Sequence, residues 1–242
     1  MLCARETLAL IKSAWKQLSR RIALSVVLCV LSLPSSCTSQ PISDGPYCLG
    51  APGSPVDYFC AVTPHGLWRG ARPNATGMAW LIENGVKTVV NLELFHDDGS
   101  AFAKARVSAS RDYEIGYFRV PDWEPNAVIA TALLDRHVAK FLAVVKSQPG
   151  PVYVHCRAGK NRTGVMVAAY RLLIEGMDAD LAIEEMGRYH GLWFEADAAY
   201  IHGLADPDHR RAILEEAQRI VSGLSPEARI SCHAGSCESR SR

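Results

Sequence analysis

The chain has 242 residues, 48% of them apolar and 21% charged, with a formal net charge of +1. That length allows one sizeable core with appendages, and the composition is that of a globular chain rather than a disordered or fibrous one. The near-neutral balance leaves no electrostatic footprint for a nucleic-acid partner, and neither an internal repeat nor an extended low-complexity segment interrupts the sequence.

Residues 1–37 read as an export signal. Arg20 and Arg21 precede an apolar run from Ile22 to Leu33, and Pro34 then leads into Ser35, Ser36 and Cys37. Basic, apolar, then small is the order of a secretory signal. The run is a dozen residues long, short of the roughly 20 that span a bilayer. Cys37 resembles a lipoprotein site, although Pro34 stands where Leu is usual. Membrane attachment through a lipidated Cys37 and simple cleavage both stay open. Residues 38–64, with Pro41, Gly45, Pro46, Pro52 and Pro55, read as an irregular lead-in. This segment carries Cys48 and Cys60, and a C-terminal tail over 223–242 carries Cys232 and Cys237. In an oxidising compartment these four can pair locally, as Cys48–Cys60 and Cys232–Cys237, or across the two ends.

The domain is expected over 65–222. Leu67-Trp68-Arg69 reads as a short strand, and Asn74 as the cap of a helix that stops at Gly85. Val86–Leu92 is a strand, 96–99 a loop, and 101–111 a candidate helix. Ile115–Val120 is the next strand. Pro121–Pro125 follow as a loop, and Asn126 as the cap of a long helix that Gln148-Pro149-Gly150 ends. A strand over Pro151–Val154 leads to Cys156, and helices follow near 163–175, 178–189 and 207–222. Strands alternating with helices give an α/β three-layer domain with a mainly parallel central sheet flanked by helices. In such sheets ligands lie at the carboxyl ends of the strands, where Cys156 falls.

The run His155-Cys156-Arg157-Ala158-Gly159-Lys160-Asn161-Arg162-Thr163-Gly164 is a strand–loop–helix anion cradle. A short glycine-containing loop turns backbone N–H groups inward and ends at a helix N-terminus with its partial positive charge. Arg162 adds a planar fork that matches two phosphate oxygens. A thiol at the floor, Cys156, is pushed toward thiolate by such surroundings and becomes a nucleophile aimed at the bound anion. Expulsion of an alkoxide or phenoxide then needs a proton from a positioned acid. The loop Val120-Pro121-Asp122-Trp123-Glu124-Pro125 offers Asp122 first and Glu124 second, with Asp97 and Asp98 as weaker candidates. Asp122 can instead be a helix cap. His and Cys elsewhere form no spaced metal set, and the chemistry calls for no metal or other cofactor.

His-Cys-x-x-Gly-x-x-Arg-Thr-Gly resembles the signature of the cysteine-dependent protein tyrosine and dual-specificity phosphatases. From Asn161 to Met186, and at Trp68-Arg69-Gly70-Ala71-Arg72-Pro73, the chain is similar to the exported bacterial, TpbA-like type. The resemblance covers roughly 66–220 and implies a phosphotyrosine phosphatase-like fold and a periplasmic location. It further implies a phosphocysteine on Cys156 and equatorial phosphate oxygens held by Arg162 and the loop 157–161. Asp122, 34 positions ahead of Cys156, takes the family acid's place. Thr163 would hydrogen-bond the sulfur, and His155 would orient the loop and help keep Cys156 ionised. Lys160 departs from the more usual Asn, and the loop at Asp122 is longer than usual. Arg157 and Lys160 match the basic loop positions of phosphoinositide phosphatases, so a phosphorylated protein and a phosphorylated inositol compound are both open as partners. A non-catalytic binder of phosphorylated ligands is the remaining alternative.

Overall fold

The computed structural model describes residues 53–108, 112–233 and 235–241, all within the unit Pro41–Arg242. The export signal over 1–37, Cys37 and Cys48 lie outside the described residues. Seven strands form one sheet: β1 (Cys60–Ala61), β2 (Leu67–Ala71), β3 (Thr88–Glu93), β4 (Tyr113–Asp122), β5 (Val152–Cys156), β6 (Ala228–His233) and β7 (Ser236–Ser241). Their order is β1-β2-β5-β3-β4-β6-β7. The four central strands β2, β5, β3 and β4 run parallel, and the outer pairings β1–β2, β4–β6 and β6–β7 are antiparallel.

Eight helices join the strands among the described residues: α1 (Ala75–Glu83), α2 (Gly99–Lys104), α3 (Asn126–Ile129), α4 (Thr131–Ser147), α5 (Asn161–Leu173), α6 (Ala179–Arg188), α7 (Glu195–Gly203) and α8 (Pro207–Val221). Strand periodicity divides them into two layers. Val90, Leu92, Val152 and Val154 face a core shared with Val138 and Phe141 of α4 and with Met166 of α5. Their neighbours Val89 and Tyr153 face a second core with Met78 and Ile82 of α1 and Phe102 of α2. Each central strand is therefore apolar on both faces, as a covered parallel sheet requires.

Helix ends follow local chemistry. Asn74 Oδ1 accepts from Gly77 N at 2.8 Å, and Gly85 takes φ +100 just beyond α1. Asp178 caps α6, and Asp206 caps α8 ahead of Pro207.

Five details depart from the sequence reading. The helix expected over 101–111 is the shorter α2, which ends at Lys104 before an extended Ala105. The long helix after the acid loop is interrupted at Ala130 (φ −150), and Asn126 makes no cap hydrogen bond. α7 stands where no helix was expected. Residues 223–242 are no appendage, since β6 and β7 extend the sheet beyond β4 and put Ile230 and Cys232 in the second core. The lead-in likewise supplies β1 and the buried Val56, Cys60 and Val62. Cys232 pairs with Cys237 across this C-terminal hairpin, so the end-to-end pairing is not formed. Cys60 is also disulfide-bonded.

If β6 is part of the fold's core, Ile230→Ala is expected to lower unfolding stability by about 2–5 kcal/mol, the usual range for truncating a buried Ile. Urea unfolding measures this, and a true tail would give a change near zero.

Candidate active site

The five residues of β5 are all buried and deliver the chain to Cys156, a free cysteine only 3% exposed. The backbone turns through 157–160 and enters α5 at Asn161. Gly159 makes that turn with φ +68, and a Cβ there would lie 2.5 Å from Gly70 C and Ala71 N. Both the left-handed conformation and the close approach to β2 therefore require glycine. From that strand Arg69 Nη2 donates to Gly159 O at 2.8 Å, and just past its end Arg72 N donates to Arg157 O at 3.3 Å. Arg69 is fully buried, with its guanidinium 3.7 Å above the centre of the Tyr189 ring. Burial pulls Arg69 below its ordinary value, while Tyr189, Glu185 and Cys156 act against that pull. Arg72 is also within electrostatic reach of Cys156 and forms a two-point ion pair with Glu93 (Nε–Oε1 2.7 Å). Arg69 and Arg72 thus both lie within electrostatic reach of the thiol.

His155 is fully buried, its Nε2 lies 2.8 Å from Asp98 Oδ2, and its ring stacks on Tyr153. Asp98 is buried as well, and its backbone N–H donates to Tyr117 Oη at 3.2 Å. Burial opposes the Asp98 charge, yet the adjacent His155 charge, its hydrogen bond and His96 outweigh burial and hold the carboxyl below its ordinary value. Asp98, a weak candidate for the acid, is instead the partner that orients His155.

Arg162 is 8% exposed. Its Nη1 donates to Leu92 O at 3.3 Å and Asp122 O at 3.2 Å, at the carboxyl ends of β3 and β4. Its Nη2 lies 2.7 Å from Glu124 Oε1. Asp122 continues the inward row Phe118, Val120, Asp122 on β4, which faces α4. There its Oδ1 lies 2.6 Å from Asn126 Nδ2 and 2.8 Å from His137 Nδ1. So the structure joins Glu124 to Arg162, while the Asp122 carboxylate is tied to α3 and α4.

The remaining loop residues differ in what they touch. Arg157 is exposed and Ala158 half-buried. Lys160 places its ammonium 4.7 Å above the Tyr58 ring rather than beside Arg162. Asn161 is buried and donates to Gly191 O and Asp197 Oδ2, both at 2.7 Å. Thr163 is fully buried, and its Oγ1 has no partner among the described residues. Asp97 caps its own turn by accepting from Gly99 N. Sequence reasoning missed His137, Asp197 and the buried role of Arg69. The helical spacing of His137 behind the acid loop was the available signal for the first. Nothing local marks Asp197, whose partners are Trp193 N, Phe194 N and Asn161.

A cysteine at the carboxyl end of a central parallel strand, followed by a glycine turn and an arginine in the first turn of a helix, defines the class of cysteine-dependent phosphatases. Residues 61–192 match the family PTP-NADK, described as a DSP-PTPase phosphatase fused to NAD+ kinase. The dual specificity protein phosphatase TpbA of Pseudomonas aeruginosa (strain UCBPP-PA14) is 32% identical over 181 residues, 69% of this chain and 69% of that protein. The crystal structure of P. aeruginosa TpbA, as a Cys-to-Ser variant in complex with pTyr, is 27% identical. It superimposes with a TM-score of 0.53 over 71% of this chain and 98% of its own. Protein tyrosine phosphatase domain-containing protein 1 of Mus musculus is 35% identical over 107 residues, 41% of this chain and 14% of that protein. The chain belongs to the DSP-PTPase family of dual-specificity and tyrosine phosphatases.

A carboxyl depressed in the folded state contributes stability above its unfolded value, about 3.9, and loses it as pH falls through the folded value. Asp98→Asn is therefore expected to unfold at lower urea than the unaltered chain at pH 7, with the gap closing as pH drops below about 4. Urea melts at pH 7, 5 and 3 measure this, and a constant gap would show that the Asp98 charge is not responsible.

Proposed function

We propose that the chain hydrolyses phosphate monoesters on exported phosphoproteins through a phosphocysteine on Cys156. The observation that carries this is the placement of buried Cys156 and Arg162 at the two ends of one loop, which β2 clamps through Gly159. Arg162 and the N–H groups of 157–161 hold the three equatorial oxygens, and this positioning supplies most of the catalysis in phosphoryl transfer. His155, fixed by Asp98, orients the floor of the loop. The hydroxyl of Thr163, buried and without a partner among the described residues, donates to the departing sulfur. A carboxylic acid from the loop 122–124 protonates the leaving oxygen.

The mouth of the cradle favours a macromolecular substrate with apolar flanks. Eight of the ten large apolar side chains exposed among the described residues lie on three segments around it, including Phe95, Trp123, Ile129 and Trp193. Arg119 holds the first segment by donating to Leu94 O, Arg162 the second through Asp122 O, and Asp197 the third. A clustered apolar surface of this kind marks an interaction site. Lys160, engaged with Tyr58, adds no second cation to the pocket, which weighs against a preference for inositol polyphosphates. Export accords with the disulfides at Cys60 and Cys232–Cys237. We include in this reading a periplasmic location, with Cys37 as the candidate for lipid attachment.

Phosphate release from phosphotyrosine and phosphothreonine peptides, with an inositol polyphosphate as comparison, tests the reading. Cys156→Ser is expected to reduce turnover to background, and Arg162→Lys to lower kcat/KM by about 10²-fold or more, since a point charge replaces the bidentate fork. Full activity in Cys156→Ser would sink the mechanism. Phe95→Ser is expected to raise KM several-fold for peptides with apolar flanks and to leave 4-nitrophenyl phosphate unchanged. A faster rate on the inositol compound would reverse the substrate assignment.

A further inference from the structure

We infer that Glu124, not Asp122, is the general acid of this chain, that Arg162 holds it in reserve until substrate arrives, and that Asp122 is a positioning residue. The inference deepens the phosphatase reading above and rests on it.

The two carboxylates lie two residues apart on one loop but face different partners. Asp122 is the last residue of β4, and its side chain follows Phe118 and Val120 toward α4. One of its oxygens meets both Asn126 Nδ2 at 2.6 Å and His137 Nδ1 at 2.8 Å. Reaching a leaving group would mean giving up both contacts from a side chain 3% exposed, leaving buried polar groups unpaired. What Asp122 presents to the cradle is its backbone carbonyl, which accepts from Arg162 Nη1. Glu124 lies past the strand end, where pleating no longer dictates direction. Its side chain is 22% exposed and its Oε1 lies 2.7 Å from Arg162 Nη2. Among the described residues it is the carboxylate that touches the phosphate-binding arginine.

That contact gives the acid its timing. Substrate phosphate and Glu124 compete for the same guanidinium edge, and the phosphate offers two oxygens to the fork. When phosphate takes Arg162, the Glu124 carboxylate loses its cation and gains a phosphate dianion as neighbour. Displaced from Arg162, it is free to carry a proton to the leaving oxygen. Cys156 Sγ then attacks phosphorus. The S–P bond forms, the P–O bond to the leaving group breaks, and the leaving oxygen takes the Glu124 proton. In the second half Glu124 takes a proton from water, the oxygen of that water bonds to phosphorus, and the S–P bond breaks to return the thiolate and inorganic phosphate. Asp122 keeps Asn126 and His137 in register, which sets where α3 starts and therefore where Glu124 points.

The test is leaving-group dependence in the whole chain. A general acid matters for a poor leaving group and little for one that departs as a stable anion. Glu124→Gln is expected to cut kcat on phenyl phosphate by about 10²-fold or more, the usual contribution of a positioned acid, and kcat on 4-nitrophenyl phosphate far less. KM should stay level or fall, because the competitor for Arg162 is gone. Glu124→Asp should restore part of the phenyl phosphate rate. Asp122→Asn should slow both esters by a similar factor. Equal losses on the two esters in Glu124→Gln, or a leaving-group effect confined to Asp122→Asn, would overturn the assignment while leaving the phosphatase reading intact. No turnover of either ester by the unaltered chain would overturn both.

Discussion

The approach of Gly159 to the backbone of Gly70 and Ala71 is the constraint on which the cradle depends. At this spacing no side chain fits on residue 159, so the loop takes its shape from β2 as well as from its own sequence. Three further contacts act at the same seam. Arg69 donates to Gly159 O, Arg72 N to Arg157 O, and Tyr153 Oη to Ala71 O at 2.5 Å. The pairing of β2 with β5 in register Gly70↔His155 and Ala71↔Cys156 puts these groups level with the loop. A one-residue slip would exchange the faces of β2 and carry Arg69 away from the loop. Catalytic geometry is therefore set by strand register, whose cooperative strength comes from the two cores that cover the sheet.

Around that seam the charges are arranged in pairs that also fix position. Arg72 answers Glu93, Asp98 answers His155, Arg171 answers Glu185, and Arg162 answers Glu124. The buried pairs Asp98–His155 and Arg171–Glu185 add little net stability, because desolvation offsets most of the attraction, but separating one is costly. Their effect is to give each side chain one orientation. Arg69 is the exception, being surrounded by an aromatic face and a carbonyl rather than by a close carboxylate. Its charge is then left to act on its surroundings, which include Cys156.

What was legible in the sequence follows from how local each feature is. Cys156, Arg162 and the strand–loop–helix between them occupy a few consecutive residues, so glycine placement and the helix start specify them together. The parallel core strands were legible because they are apolar on both faces. The direction of the Asp122 side chain was not legible from spacing. It depends on whether β4 ends at Val120 or continues to Asp122, and that continuation is fixed by pairing with Glu93 on β3, a contact remote in sequence. With β4 longer by two residues, period-two alternation turns Asp122 inward. The C-terminal hairpin carried a local signal, since Ala228, Ile230 and Cys232 of β6 alternate with Arg229, Ser231 and His233, and Gly235 follows at φ +84, but what the hairpin packs on was not local. Its partner β4 lies about a hundred residues away.

The interior and the rim of the site obey opposite rules, and the contrast explains the layout of the loops. Inside, Arg162, His155 and Asn161 are each held by polar contacts from a strand end, a loop or a helix. At the rim, Phe95, Trp123 and Trp193 are apolar and largely unsupported by the core. Apolar rings at the mouth of a cationic cradle lower the local dielectric when a substrate covers them, and attraction between the phosphate and Arg162 strengthens as water leaves. Free in solution, the same arginine would be an uncompensated charge in a drying pocket, so it needs a partner that yields to phosphate. Glu124, on a loop two residues past the last strand position and next to rim residue Trp123, satisfies that requirement. It is close enough to neutralise Arg162 at 2.7 Å and is anchored by nothing else among the described contacts.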